Sequence, residues 1–146
     1  RKVPIFIKIA PDLDDSNVTE ILSVCEENNV SGLIATNTTI NPKTLKNPNR
    51  FEGGLSGKPL FNQSNKILRL LAKRKNASTI LIGVGGIFSA SDIYEKIKLG
   101  ASAVQIYTGF VYNGPTHIKK MEMELKNLLL SDGYNSIDGA VGALIR

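Results

Sequence analysis

The strongest constraint on the fold is a fourfold alternation of short apolar stretches with longer amphipathic ones. The short stretches cover residues 5–9, 30–36, 79–84 and 101–106, and each is apolar at almost consecutive positions. Such strands are typical of a parallel sheet covered on both faces, because a sheet with one face in water alternates apolar and polar side chains. The pattern therefore predicts four parallel strands with helices between them.

Helix signals follow each predicted strand. Asn17 with Glu20 resembles a capping box at the first helix, and Gly100 is placed to follow the end of the third. Residues 131–133 break the fourth helix, and residues 137–144 predict a short terminal one. The candidate residues at the helix starts are Asn17, Ser64, Ser89 or Ser91, and Pro115.

The order β-α-β-α-β-α-β-α plus a helix places the chain in the α/β class. Four βα units are half of a (β/α)8 barrel, which closes with about 250 residues, so residues 1–146 are expected to form a single partial domain. An open doubly wound sheet is the alternative. Against it, no G-x-G-x-x-G follows the first strand, and polar residues gather at the carboxyl ends of all four strands. The chain opens at Arg1 without an initiator Met and soon becomes apolar, so we expect it to be the interior of a longer protein.

Composition narrows the classes of function. Hydrophobic residues make up 42% and charged residues 21% of the chain, as in an ordinary globular domain. The net charge of +5 raises nucleic acid as a partner, but the charges are dispersed and the densest run, residues 73–75, suits a helix end. We therefore expect no nucleic-acid partner. The single cysteine, Cys25, permits no intramolecular disulfide, and no apolar run approaches the roughly 18 residues that a membrane span needs.

Lys8 is an anomaly, because it stands in the middle of the first apolar strand. Burying an unpaired ammonium there would be expensive. Either the side chain reaches solvent outside the barrel, or it points into the barrel mouth towards an anionic or electron-rich ligand. In a flavin site such a cation stabilises negative charge on the ring.

Polar and glycine-rich segments follow the later strands. Residues 36–39 place hydroxyls and an amide just past the second strand, where they could bind a heterocycle or simply form a turn. A long loop to about residue 62 follows, and loops of this length are usually functional. Glycines at 53–57, at 83–86 and after the fourth strand would let backbone N–H groups approach an anion. If the last two strands are strands 7 and 8 of a barrel, their loops form the usual phosphate site.

The sequence offers no convincing group for proton transfer. Glu52 and Asp92 have no visible partner, and Asp92 falls in a first helical turn, where a carboxylate stabilises the helix. His117 is expected at the surface and Cys25 in the core. One His and one Cys cannot form a metal site or a Ser/His/Asp triad, so we assign no catalytic residue and no metal ligand.

Five segments, in this order and spacing, closely resemble the C-terminal half of class 2, quinone-linked dihydroorotate dehydrogenases. The segments are FIKIAPDL (6–13), ATNTT (35–39), GGLSGKPL (53–60), GVGGI (83–87) and QIYTGF (105–110). The resemblance covers nearly the whole chain. It implies part of a barrel enzyme that binds FMN, oxidises dihydroorotate to orotate in pyrimidine biosynthesis and passes electrons to a membrane quinone.

The resemblance also implies roles for individual residues. Lys8 would sit by the flavin ring, Gly57 and Gly86 would allow close backbone approach, and Tyr107 with Thr108 would help hold the phosphate end. The implied FMN contacts are Lys8, Thr36, Gly57, Gly86, Tyr107 and Thr108. The implied contacts to the orotate ring are Asn37 and Thr38.

Members of this family carry a serine base, further FMN contacts and an N-terminal region that binds membrane and quinone, none of which occurs here. We therefore expect the base upstream of Arg1, and neither activity nor tight FMN binding from this chain alone. We also expect association with a mitochondrial inner or bacterial cytoplasmic membrane through residues outside it. Two alternatives stay open: another phosphate-binding barrel of the aldolase or isomerase type, and a basic module that binds nucleic acid.

Overall fold

A four-stranded parallel sheet forms the centre of the computed structural model, which describes residues 3–41 and 53–146. The strands are Phe6–Ile9 (β1), Gly32–Ala35 (β2), Ile80–Val84 (β3) and Ala103–Gln105 (β4). The helices are Asp15–Glu27 (α1), Phe61–Arg74 (α2), Ala90–Lys98 (α3), Thr108–Asn113 (α4), Thr116–Ser131 (α5) and Ile137–Ala140 (α6). The predicted α/β order of four βα units is confirmed.

The strands pair in sequence order, each parallel to the next. Lys8 lies beside Ile34, and Ile34 lies beside Ile82, so these three side chains share one face of the sheet. We call it the open face, because its side chains are partly or fully exposed in the described chain. On the opposite face, Leu33 and Leu81 are fully buried against the helices. Lys8 is therefore not on the side that packs against helices.

The main core lies between the helix-covered face of the sheet and helices α1 and α2. It contains Ile9, Val18, Leu22, Cys25, Leu33, Ala35, Ile67, Leu68, Leu71, Leu81, Leu99 and Ala101. A second cluster joins α3, α5 and α6, and includes Ile87, Ile93, Tyr94, Ile97, Met121, Leu125 and Leu129. Burial of one such large side chain contributes about 2 kcal/mol. The helices thus explain the apolar residues on one face of the sheet. The predicted cover on both faces is not seen in the described residues, where Ile34 and Ile82 on the open face are only partly buried.

Two predicted helix caps are wrong. The side chain of Asp14, not of Asn17, caps α1, because its Oδ1 accepts the Asn17 N–H at 2.7 Å. Ser64 lies inside α2, which begins at Phe61 directly after a 3-10 turn over Lys58–Leu60. The hydroxyl of Ser64 is therefore turned to other partners, which are described below.

The other helix boundaries follow the predictions more closely. Ser89 caps α3 through a capping box with Asp92, and Gly100 follows its end with φ +110°. Pro115 directly precedes α5, and Asp132 ends it. The short helix α4 between β4 and α5 is missing from the predictions. The predicted loop to about residue 62 ends earlier, and its residues 42–52, with Glu52, lie outside the described chain.

Candidate functional site

A cavity opens at the carboxyl ends of the four strands, where the open face of the sheet meets the loops. It has a volume of about 220 Å³, below the roughly 300–1,000 Å³ of complete small-molecule sites. Its lining combines apolar side chains such as Leu60 and Ile87 with hydroxyls, two amides and one ammonium group. Such a mixed lining suits a ligand that is partly planar and apolar and partly polar.

All eight residues that were selected from the sequence line this one cavity. They are Lys8, Thr36, Asn37, Thr38, Gly57, Gly86, Tyr107 and Thr108. They come from β1, from the segments that follow β2, β3 and β4, and from the turn before α2. The parallel sheet brings them together, because every strand ends at the same edge. The structure thus establishes their proximity, while their individual roles stay predictions.

Gly57 and Gly86 shape the wall of the cavity with their backbones. Both have positive φ, +80° and +73° respectively. A Cβ on Gly86 would lie 2.5 Å from the Cβ of Phe61, and one on Gly57 would lie 3.1 Å from Thr108. Both glycines are buried, and neither backbone N–H has an acceptor among residues 3–41 and 53–146. Buried donors of this kind normally have a partner, so a ligand with acceptor atoms fits here.

The loop after β2 is held by a carboxylate beneath it. Asp12 accepts hydrogen bonds from the Thr39 hydroxyl, from the Ile40 N–H at 2.9 Å and from Gln63 Nε2 at 3.0 Å. Burial opposes ionisation, but the three hydrogen bonds outweigh it and lower the pKa of Asp12. Thr39 also pairs with Leu55 through two backbone hydrogen bonds. The segment that carries Asn37 and Thr38 is therefore anchored before a ligand arrives.

The sequence-based assessment of Asp92 and His117 needs correction. Asp92 does have a partner, because Lys58 Nζ lies 2.9 Å from its Oδ1. Its other oxygen accepts the N–H groups of Phe88 and Ser89. Burial alone would raise the pKa of Asp92. The hydrogen bonds with Lys58, Phe88 and Ser89 lower it by more, so the pKa of Asp92 lies below its ordinary value. The start of α3 is thus already occupied by a carboxylate and is not free for a phosphate. His117 is half-buried, and its Nε2 lies 2.8 Å from the Phe88 carbonyl oxygen.

Cys25 lies in the core as predicted, and burial raises the pKa of its thiol.

Sequence reasoning missed two polar residues of the cavity. Ser56 accepts a hydrogen bond from the Thr108 hydroxyl at 2.9 Å and thereby joins the segment before α2 to the one after β4. Gln105 lies on the open face, beside Val84 in the register. The signal that could have identified Gln105 is its amide, which stands in an otherwise apolar strand. Within the described ranges, no group of three or more His, Cys, Asp or Glu side chains is arranged to hold a metal.

A family model described as "Dihydroorotate dehydrogenase" matches residues 1–129, which is most of the chain. The chain belongs to the dihydroorotate dehydrogenase family. A relative named "Dihydroorotate dehydrogenase (quinone)" from Christiangramia forsetii is 48% identical over 126 residues, covering 86% of this chain and 37% of that protein. A second one with this name, from Nostoc punctiforme, is 43% identical and covers 98% of this chain and 40% of that protein.

Solved structures of dihydroorotate dehydrogenase confirm the fold. The crystal structure of the Eimeria tenella enzyme in complex with ferulenol matches with a TM-score of 0.88 and 38% identity. This match covers 97% of this chain and 38% of the Eimeria tenella chain. The structure of the ligand-free enzyme matches with a TM-score of 0.86. The four βα units therefore correspond to part of a dihydroorotate dehydrogenase barrel. The chain spans about 40% of the length of the curated relatives that it matches. In the part that the structure describes, no helix is long and apolar enough to cross a membrane.

Proposed function

We propose that the protein is part of an FMN-dependent dihydroorotate dehydrogenase that oxidises dihydroorotate to orotate in de novo pyrimidine biosynthesis, with a quinone as electron acceptor. One observation carries the proposal: eight residues selected from separate sequence segments surround a single cavity. Membership of the dihydroorotate dehydrogenase family supports the substrate, and the names of the relatives support the quinone.

The cavity fits FMN by the chemistry of its lining. Gly57 and Gly86 are buried residues whose N–H groups have no acceptor among the described residues, and the side chain of Thr108 lies beside Gly57. We assign the phosphate end of FMN to this side, with Tyr107 next to Thr108. Lys8 and Thr36 take the ring side, where the Lys8 ammonium would stabilise negative charge on a flavin. When bound, FMN supplies a two-electron acceptor next to the substrate.

Asn37 and Thr38 are assigned to the orotate ring. The Oδ1 of Asn37 accepts the Thr38 N–H at 3.0 Å, which fixes the amide and leaves its NH₂ group to donate outwards. Asp12 anchors the loop from below, so the two side chains are pre-positioned. The proposal assigns no catalytic base to the described residues, since the only ionisable side chains among them that line the cavity are those of Lys8 and Tyr107.

Electron transfer to a quinone places the reaction at a membrane surface. We therefore propose that the protein associates with a membrane, and that this contact involves residues other than those described. Nothing in the proposal requires nucleic acid.

The test measures FMN binding and dihydroorotate oxidation by the full-length protein. We expect a yellow protein with flavin absorbance that dihydroorotate bleaches and a quinone restores. Lys8→Met should weaken FMN binding and lower the flavin reduction potential, because the cation next to the ring is lost. Lys66→Met is the matched control, since Lys66 forms an exposed ion pair with Asp15 outside the cavity and carries the same charge. A colourless protein that cannot be reconstituted with FMN would contradict the proposal and favour an aldolase or isomerase type of barrel.

A further inference from the structure

One charged group in the described chain is buried without a carboxylate partner. Lys96 of α3 is fully buried, with 0% of its surface exposed. Its three ammonium protons are directed to the Ser64 Oγ at 2.8 Å, to the Asn65 Oδ1 at 2.7 Å and to the Val84 carbonyl oxygen at 3.4 Å. All three acceptors are neutral. The ammonium therefore makes no direct ion pair, although Asn65 also donates to the Glu95 carboxylate at 2.9 Å and so links the two charges.

This ammonium lies directly behind the turn that lines the cavity. It reaches the carbonyl of Val84, the last residue of β3, and its side chain packs under Gly83. Ser64 extends the contact, because its Oγ is also 3.4 Å from the Gly85 carbonyl oxygen. Val84, Gly85 and Gly86 all line the cavity. The cation thus holds the back of the glycine turn whose front faces the ligand.

Burial of a cation among neutral groups is costly, and an apolar side chain of the same volume would avoid that cost. The hydrogen bonds of Lys96 join α3 to α2 and to the end of β3, and its charge lies behind a turn that lines the cavity. We propose that Lys96 is a positioning residue for the phosphate end of FMN: it holds the Val84–Gly86 turn in place and supplies positive charge behind it. This inference rests on the proposed function of the cavity.

The charge of Lys96 depends on pH in an accessible range, because of the groups that surround it. Burial lowers the pKa of Lys96 to about 8, and Glu95 and Asp92 on the same helix only partly oppose this. In the turn before α2, Lys58 lies 5.2 Å from the centre of the Phe61 ring, and Lys96 approaches the same ring to 5.1 Å. From β3, only uncharged groups face the ammonium. The group is therefore protonated below about pH 8 and neutral above it.

The experiment measures the FMN dissociation constant of the full-length protein on both sides of pH 8, by quenching of flavin fluorescence. Lys96→Met is compared with Lys98→Met, which removes a lysine of the same helix that pairs with Asp132 at 3.6 Å. We expect Lys96→Met to weaken FMN binding roughly tenfold, as for loss of a charged hydrogen bond. In the wild type and in Lys98→Met, the FMN affinity should fall as the pH rises through about 8. In Lys96→Met, this pH dependence should be absent. Other groups that titrate in this range affect both variants equally, so the difference between the two pH profiles reports on Lys96.

A second variant separates the two parts of the role. Ser64→Ala keeps the charge and removes the hydroxyl between Lys96 and Gly85, so FMN binding should weaken severalfold while its pH dependence is retained. If Lys96→Met does not fold, the inference is tested by the pH dependence of FMN binding in the wild type and by the FMN affinity of Ser64→Ala. Equal FMN affinity and equal pH profiles in Lys96→Met and Lys98→Met, or an unchanged affinity in Ser64→Ala together with a flat wild-type profile, would overturn the inference. If the wild type itself binds no FMN, the proposed function fails instead.

Discussion

Replacement of Gly86 by alanine tests whether the glycine turn is shaped by close packing. Gly86 has φ +73°, and an alanine in the left-handed region costs about 1 kcal/mol. The added Cβ would also lie 2.7 Å from the Cα and 2.8 Å from the backbone N of Phe61. Backbone cannot move aside as a flexible side chain can, so overpacking should add about 1–3 kcal/mol. We expect Gly86→Ala to lose about 2–4 kcal/mol of unfolding free energy.

Gly133→Ala is the matched control, because Gly133 has φ +81° and nothing lies within 4 Å of the position that an added methyl group would take. It should lose only the conformational cost of about 1 kcal/mol and should bind FMN like the wild type. Urea unfolding and FMN titration of both variants are the measurements. Equal losses of stability in the two variants would show that contact with Phe61 does not constrain the turn, and the packing argument would be wrong.

Two further predictions concern titratable groups. Asp92→Asn should reduce the unfolding free energy at neutral pH by about 1–2 kcal/mol, because the carboxylate caps α3 and pairs with Lys58. Since the folded-state pKa of Asp92 is lowered, this contribution is present above the ordinary value of 3.8 and is lost as the pH falls, so the gap between wild type and variant should close in acid. For Lys96, whose pKa is lowered from 10.5 to about 8, the wild type should gain up to about 3 kcal/mol of stability relative to Lys96→Met as the pH rises between these values. The measurement is denaturant unfolding of both proteins across that pH range. If their unfolding free energies changed with pH in parallel, Lys96 would not be buried as a charged group.

The strands could be predicted because their signal is local. An apolar run of five or six residues flanked by polar or glycine residues leaves few choices of position. The observed strands all lie within the predicted ranges, and each is somewhat shorter than its range. The region of the candidate site followed from the same signal, since residues directly after parallel strands must meet at one edge, whereas the individual site residues came from the family resemblance. Its cofactor came from the family resemblance and not from the pattern.

The helix starts were harder, because several polar residues compete for each cap. Asp14 and Asn17 both precede the apolar stripe of α1, and only the backbone geometry shows that Asp14 accepts the N–H of Asn17. Ser64 fits the pattern of a cap, yet Pro59 starts a 3-10 turn upstream and α2 continues from it. Helix α4 was missed because Gly109 lies in its first turn, where glycine lowers helix propensity.

Lys8 and Lys96 show where sequence reasoning ends. Both lysines interrupt an apolar pattern: Lys8 stands within β1, and Lys96 falls between Ile93 and Ile97 on the buried stripe of α3. Their positions in the structure differ, because Lys8 is exposed on the open face while Lys96 is fully buried. What decides the burial of Lys96 is a pair of acceptors on α2, more than thirty residues away in the chain. A pattern along one element can reveal that a charge is out of place, but only the packing of two elements reveals whether it is solvated or held. The lysine that sequence reasoning passed over is therefore the one whose charge most needs a functional explanation.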